Sequence, residues 1–366
     1  MIDDFYEYPQ KLKKIFLEGM DNPHLGKCIE ILEGMCGEIY IHEKLAKYYV
    51  CGKIPKKIGN ISEKEINKRF YNEQKLQLGF NHAFVNNAYD FGSLTAFHYE
   101  KNKKQLIPVS CSRFWGGDLS KIIKKSNYND IEALSIVAYA LSGLRHCYKN
   151  GLIAHQDIKP ENIFLMNAKK SFDGVDDYYC MMFPKIADFG LSNAFEVSNI
   201  YDGTRPYMAP EQWDKNELCE KTDIFGMGVI LFELITRGYH PIGIFLNDFY
   251  PIPKIENTKK YTKEKVWKKW SKNHDKIKET DQIKKIDKDI LSLIQNMIVS
   301  DKHKRPSVNE TIKELLLIIK KISLKNFEQA NLLIKHFDSL SKENIILSKR
   351  HPYLSEKWQY FKNNFK

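Results

Sequence analysis

The chain has 366 residues, 43% of them hydrophobic and 13% aromatic, and a formal net charge of +11. That length and apolar content are enough for one large core or two lobes, which excludes a mainly disordered protein. The positive charge comes from lysine spread along the chain with acids interleaved, the pattern of a solvated surface, so no nucleic-acid partner is expected.

The N-terminus, MIDDFYEYPQ, has no basic start followed by an apolar run, which argues against a secretory signal. No apolar stretch is long enough to span a bilayer, so no transmembrane segment is expected. Seven cysteines (Cys28, Cys36, Cys51, Cys111, Cys147, Cys180 and Cys219) lack CxxC pairs and histidines at ligand spacing. This argues against a disulfide framework and a zinc site. A soluble, cytoplasmic, reducing setting is the simplest account, with delivery into a host cell left open.

In chain order, Ile29 to Val50 is rich in β-branched and aromatic residues around Gly34 and Gly37, which predicts two strands and a tight turn, with Lys53 on a third strand. Ser62 to Leu78 carries Ile66 and Phe70 at helical spacing among charges, which predicts a helix. Two more strand-like runs follow, ending at LIPVSCSRFW. After Gly117 helical patterns dominate: Ile131 to Lys149, Thr222 to Thr236, Lys288 to Val299 and Val308 to Ile322, then a lysine-rich tail. A strand-rich first third and a helix-rich remainder predict two lobes with a cleft between them.

Three motifs carry chemistry. HQDIKPENIF (155–164), IADFG (186–190) and GTRPYMAPE (203–211) occur in order. Together they resemble the catalytic loop, metal-binding turn and activation-segment end of eukaryotic-type (Hanks-type) serine/threonine protein kinases. The resemblance implies an α+β bilobal fold: an antiparallel-sheet N-lobe with one main helix and a mostly helical C-lobe. It implies an N-terminal extension over 1–28, a kinase domain over 29–322 divided near 113, and a helical lysine-rich C-terminal extension over 323–366.

The same resemblance implies the site. Asp157 would orient the attacking hydroxyl, Lys159 would neutralise the γ-phosphate, Thr204 would bridge the two, and Asn162 and Asp188 would hold Mg²⁺, or Mn²⁺ in its place. ILEGMCGEI resembles the glycine-rich loop over the ATP phosphates, with Gly34 and Gly37 as its second and third glycines and Leu32 where the first belongs. Lys53 in YVCGK would bind the α- and β-phosphates and pair with a helix glutamate. Glu73 is chosen because NHAFV follows it, and Glu65 is the alternative. Gln77 stands where the family buries an apolar residue, which weakens the column behind the site or puts the register in doubt. Ile39, Cys51 and Phe164 match the positions that sandwich adenine. Cys111 falls at the gatekeeper, which leaves the pocket behind adenine more open, Ser112 to Phe114 form the hinge, and Asp118 reaches the ribose. Asp223 resembles the residue that hydrogen-bonds the catalytic-loop backbone, and Arg305 the partner of Glu211 in a buried pair.

The acceptors implied are serine and threonine hydroxyls of proteins. Gln156 occupies the place where kinases switched on by phosphorylation carry arginine, and the usual phosphosite position is Ile200, so activity without an upstream kinase is expected. Asp118, Glu161 and Glu233 resemble positions that hold arginines before the acceptor, which predicts a preference for Arg or Lys there. Two rivals are weighed: a pseudokinase that only binds partners, against which Lys53, Asp157, Asn162 and Asp188 are all present, and a small-molecule kinase, which generally lacks the GT..Y.APE segment. Two further segments stand out: an exposed insertion at Asn167 to Phe183, with Asp173, Asp176 and Asp177, and the lysine-rich Lys254 to Lys288, with Trp267 and Trp270, as a solvated helix over the lower lobe or a docking surface.

Overall fold

The computed structural model describes residues 27–33, 37–44, 48–55, 66, 70, 73–74, 76–98, 103–113, 115, 117–125, 128–170, 178–252, 254, 259–273 and 276–343. Gly34, Glu65, Phe114, Asp173, Asp176 and Asp177 lie outside these residues.

The chain divides into two compact units. The first holds residues up to Asn81, Asn86–Gly116 and the segment from Glu343 onward. Its strands are β1 (Lys27–Glu33), β2 (Gly37–Lys44), β3 (Tyr48–Pro55), β4 (Ala88–His98) and β5 (Lys103–Arg113). They form a sheet in the order β1-β2-β3-β5-β4, antiparallel at every pairing. Runs such as KCIEILE and YYVCGKIP contain the branched and aromatic residue types that favour strands. Helical backbone at Ile66, Phe70, Glu73, Gln74 and 76–79 follows, with Ile66 and Phe70 both buried.

The second unit holds His82–Val85 and Gly117–Lys342. Its helices are α1 (Leu119–Lys125), α2 (Asp130–Lys149), α3 (Ala194–Ser198), α4 (Pro210–Asp214), α5 (Glu220–Thr236), α6 (Leu246–Phe249), α7 (Glu264–Lys272), α8 (Lys288–Met297), α9 (Val308–Ile322) and α10 (Leu324–Glu343). Between them lie the hairpins β6 (Ile163–Asn167) with β7 (Met182–Ile186) and β8 (Tyr239–His240) with β9 (Ile244–Phe245). Helix α2 starts at a capping box: the Asn129 side chain accepts from Glu132 N at 3.0 Å, and Glu132 accepts from Asn129 N at 2.9 Å. Its residues from Ala133 to Leu144 are buried, and so is α5 nearly all round. At Gly228 a Cβ would stand 2.8 Å from Met297 Cβ, so glycine is what lets α5 lie against the end of α8.

Helix α10, which the sequence places beyond the domain, packs onto it. The Asp338 carboxylate accepts from His82 Nε2 at 3.2 Å, from Ser142 Oγ at 3.0 Å and from Arg145. Phe337 meets the edges of Phe84 and Phe183 with ring centres 5.2 and 5.8 Å apart. Trp267 and Trp270 of α7 are buried, at 0% and 6% exposure, so the lysine-rich segment holds an anchored amphipathic helix.

Candidate active site

In the first unit, β3 presents Lys53, whose Nζ lies 2.6 Å from Glu73 Oε1. Glu73 is 4% exposed. Gln77, one helical turn further on, is buried, and its amide donates to Asn86 O at 3.1 Å. Asn86 Oδ1 in turn accepts from Trp115 Nε1 at 2.8 Å. The amide therefore satisfies its burial through backbone at the place where an apolar side chain was expected.

The β3–β5 pairing sets Cys51 against Ser112 and Gly52 against Cys111. The two thiols are close enough to interact, and burial first, with Cys111 adding, pushes Cys51 up to about 12. Leu32, Gly37 and Ile39 lie on β1 and β2, where Leu32 pairs with Ile39 and Ile39 with Lys53.

In the second unit, the β6–β7 hairpin brings two motifs together. Ile163 pairs with Ile186, and Ala187 N donates to Asn162 O at 2.9 Å, so Asn162 and Asp188 stand at the same end of the ladder. Asp188 adopts the left-handed region, with φ 60°. Phe164 pairs with Lys185 on this hairpin and bridges to Asp118. Asp118 itself accepts from Ser120 N at 3.0 Å and Ser120 Oγ at 2.5 Å, which caps α1.

Asp157 is the centre of the second unit's polar cluster and is 3% exposed. Its Oδ1 accepts from Thr204 N at 2.8 Å and Thr204 Oγ at 2.7 Å. Its Oδ2 lies 2.9 Å from Lys159 Nζ and accepts from Asn162 Nδ2 at 3.1 Å. Lys159 also donates to Thr204 Oγ at 3.0 Å. Burial pulls the Lys159 ammonium down, but the Asp157 carboxylate, with Asp188 and Glu161 behind it, outweighs this and holds it above the usual lysine value. Asn162 Nδ2 donates to Asp157 O at 2.8 Å as well, so its amide nitrogen is committed to the loop.

The loop is pinned from below. Asp223 in α5 accepts from His155 N at 2.7 Å, Gln156 N at 3.1 Å and Tyr148 OH at 2.7 Å. Burial raises its carboxyl, and the charge and amide of His155 pull the other way. His155 Nε2 lies 3.1 Å from Ala187 O, and since a carbonyl only accepts, that nitrogen carries the hydrogen. The ring also packs on Phe189, 5.0 Å away.

Gln156 sits at φ 70°, and its side chain spans the activation segment: Nε2 donates to Ile200 O at 2.9 Å, and Oε1 accepts from Phe195 N at 3.0 Å. Gly203 passes so close that a Cβ there would lie 2.7 Å from Gln156 O. Gln212 donates to the same carbonyl at 2.9 Å. Gln212, Tyr148 and Asn193 went unnoticed in the sequence. Asn193 accepts from Ile153 N at 2.7 Å and Ala154 N at 3.2 Å, and donates to Gly151 O at 2.9 Å. For Gln212 the available signal was its place directly after Glu211.

Glu211 and Arg305 form a bidentate pair, with Nη1–Oε1 at 2.6 Å and Nη2–Oε2 at 2.9 Å. Residues 29–317 match the protein kinase domain. The chain belongs to the eukaryotic-type protein kinase family. Among curated relatives of this kinase-family chain, an Aurora kinase of Saccharomyces cerevisiae is 27% identical over 231 residues, covering 62% of this chain and 56% of the relative. Calcium-dependent protein kinase 4 of Plasmodium falciparum is 30% identical over 243 residues, 64% of this chain and 41% of its own. A calcium and calcium/calmodulin-dependent serine/threonine-protein kinase of Lotus japonicus is 28% identical over 217 residues, 58% and 36%. The chain thus spans between about a third and just over half of the length of these relatives. Among the described residues, no helix is long and apolar enough to cross a membrane.

Proposed function

We propose that the chain is a serine/threonine protein kinase that transfers the γ-phosphate of ATP, with Mg²⁺, to protein hydroxyls. The observation that carries this reading is the Thr204 hydroxyl 2.7 Å from Asp157 Oδ1. A buried carboxylate that already accepts an aliphatic O–H is placed to accept the same bond from a substrate serine or threonine. Lys159, whose Nζ lies 2.9 Å from the other oxygen of Asp157, would face the transferred phosphoryl group. Asn162 and Asp188 offer hard oxygen donors at one end of a hairpin, a set that suits Mg²⁺. With its amide nitrogen donating to Asp157, Asn162 has Oδ1 as the atom for the ion. Mg²⁺, when bound, supplies charge neutralisation on the phosphates. Lys53, fixed by Glu73, is the proposed ligand of the α- and β-phosphates. Gly34, Gly37, Ile39, Cys51, Cys111, Ser112, Phe114, Asp118 and Phe164 keep the nucleotide roles that the family resemblance implies. Cys51, Cys111, Cys147, Cys180 and Cys219 are free thiols, and a reducing cytoplasmic setting is part of the same reading.

The activation segment supports activity without phosphorylation. Gln156 makes with Ile200 and Phe195 the kind of tie that a phosphate–arginine pair makes elsewhere. Phosphatase treatment is expected to leave the rate unchanged; loss of activity that returned with phosphate on Ser198 or Tyr201 would count against this reading.

Preference for Arg or Lys before the acceptor rests on Glu161 and its neighbours. Glu161 is exposed, and the carboxylates of Asp118 and Asp157 lie within electrostatic reach of it. Glu233 is buried and accepts from Tyr207 OH at 3.1 Å through both oxygens, so Glu161 is the acid better placed to meet a substrate cation. A positional peptide library with Glu161→Ala and Glu233→Ala tests it, and equal rates on acidic and basic peptides would refute it.

The decisive experiment is transfer from labelled ATP with Mg²⁺ to serine and threonine peptides by the wild type and by Asp188→Asn. Transfer by the wild type, reduced at least ~100-fold in the variant, is expected. Nucleotide binding without transfer by the wild type would favour the scaffold reading.

A further inference from the structure

A basic face borders the catalytic cluster. Arg205 follows Thr204 directly; one of its amino groups donates to Thr262 O, and it makes no ion pair among the described residues. The Tyr250 phenol lies within electrostatic reach of Arg205 and also of Lys159, Asp157 and Glu161, so the guanidinium belongs to the surroundings of the same site.

Thr262 leads into α7, which presents opposite faces. Trp267 and Trp270 turn inward around His240, at ring separations of 5.2 and 4.4 Å, and His240 Nε2 lies 3.0 Å from Pro206 O. That contact ties the helix to the residue after Arg205. Outward, Lys259, Lys260, Lys263, Lys265 and Lys269 are exposed, and none makes an ion pair among the described residues. Lys268 and Lys272, by contrast, share Asp214. Between 259 and 272 the sequence contains one acid, Glu264. Five uncompensated ammonium groups on one anchored helix and its approach repel one another, and an anionic occupant relieves that repulsion.

Resting on the kinase reading above, we infer that this face and Arg205 recognise an acidic segment of the protein substrate, a run of Asp and Glu lying across the acceptor from the basic residues that Glu161 favours. Glu161 and this basic face then offer opposite charges to one peptide, and a substrate of matching polarity is held in one direction only.

The test uses two fluorescein-labelled peptides, each with a pair of arginines before one serine, followed by four glutamates in one and four alanines in the other. Binding is read by anisotropy and phosphate transfer by radiolabel, for the wild type, Arg205→Gln and the triple variant Lys263→Glu, Lys265→Glu, Lys269→Glu. Circular dichroism verifies that each variant is folded. The wild type is expected to prefer the glutamate peptide by about tenfold, the triple variant to show a ratio near one, and Arg205→Gln to fall between. A wild-type ratio near one, or a ratio that survives in both variants, overturns the inference. So does binding to phosphatidylserine vesicles that the triple variant loses while the peptide ratio stays near one, since the face would then meet a membrane. If neither peptide is phosphorylated but the binding ratio behaves as expected, the kinase reading fails and the acidic-segment surface stands.

Discussion

Two ion pairs in the second unit, Glu211–Arg305 and Asp157–Lys159, are built on different plans. Arg305 is fully buried, and all five of its N–H groups are used: two on Glu211, and one each on the carbonyls of Val299, Lys221 and Ser300. Its guanidinium also lies 5.0 Å over the Phe225 ring. Every partner is buried carboxylate or backbone, so nothing can leave without stranding a charge, and the pair is structural. Around Asp157 two of the four partners are the Thr204 hydroxyl and the Lys159 ammonium, and Lys159 keeps 15% of its side chain exposed. Side chains with access to solvent can turn aside for an incoming group. A closed polar cluster holds a fold, and an exchangeable one can do chemistry.

The largest effect that tests this contrast is at Asp157. Asp157→Asn removes the proton acceptor but keeps the shape, and phosphate transfer is expected to fall by ~10² to 10⁴. Steady-state rates on a peptide substrate check it, with chemical denaturation alongside. If the stability loss matches the activity loss, the cluster is structural after all.

Arg305→Met should do the reverse, lowering stability by ~3 to 5 kcal/mol because Glu211 is left buried and unpaired. In the double variant with Glu211→Gln most of that cost should return, as measured by denaturant midpoints. A single variant that costs less than ~1 kcal/mol would show the pair to be dispensable.

A third test concerns acid. Burial lowers His240 from an ordinary 6.5 to about 3, the Pro206 carbonyl only partly opposing it, and burial lowers His146 to about 4. Between the folded and unfolded values the unfolded chain binds more protons. Stability is therefore complete above about 6.5 and falls as pH drops from there towards 3 to 4. Thermal melts across that range should show the decline, and His240→Gln, which keeps a donor for Pro206 O, should flatten it. An unchanged slope in that variant would assign the decline elsewhere.

The smallest effect is expected at Gln156, where Gln156→Gly relieves the left-handed backbone while removing both side-chain bonds to the activation segment. Two neutral hydrogen bonds are worth ~1 to 3 kcal/mol locally. Proteolysis between Phe195 and Ile200 should quicken, and the peptide rate should fall several-fold with global stability nearly unchanged. A variant with wild-type proteolysis and rate would show that Gln156 does not order the segment.

Much of this architecture was legible because short-range rules set it. Helix α9 has the bounds that its apolar period predicts, Val308–Ile322, and α2 begins one residue before its predicted start because the capping box at Asn129 adds a residue to the apolar pattern. The spacing within HQDIKPENIF likewise confines Asp157, Lys159 and Asn162 to a single loop, since six residues of chain cannot carry them far apart. Gln77 read as a defect, and it became intelligible only when its amide met Asn86 O, a contact between residues nine apart.

By itself, then, the sequence determined the main strands, the long helices and the family. The pairs Lys53–Glu73 and Glu211–Arg305 were legible through the family resemblance alone, and tertiary structure decided the contacts that no motif marked: that Gln156 ties Ile200 and Phe195, and that α10 docks through Asp338 onto His82 and Ser142. Periodicity and capping act over a few residues and are written in the local sequence. A charge partner is chosen by burial, and burial exists only once distant segments have displaced the water between them.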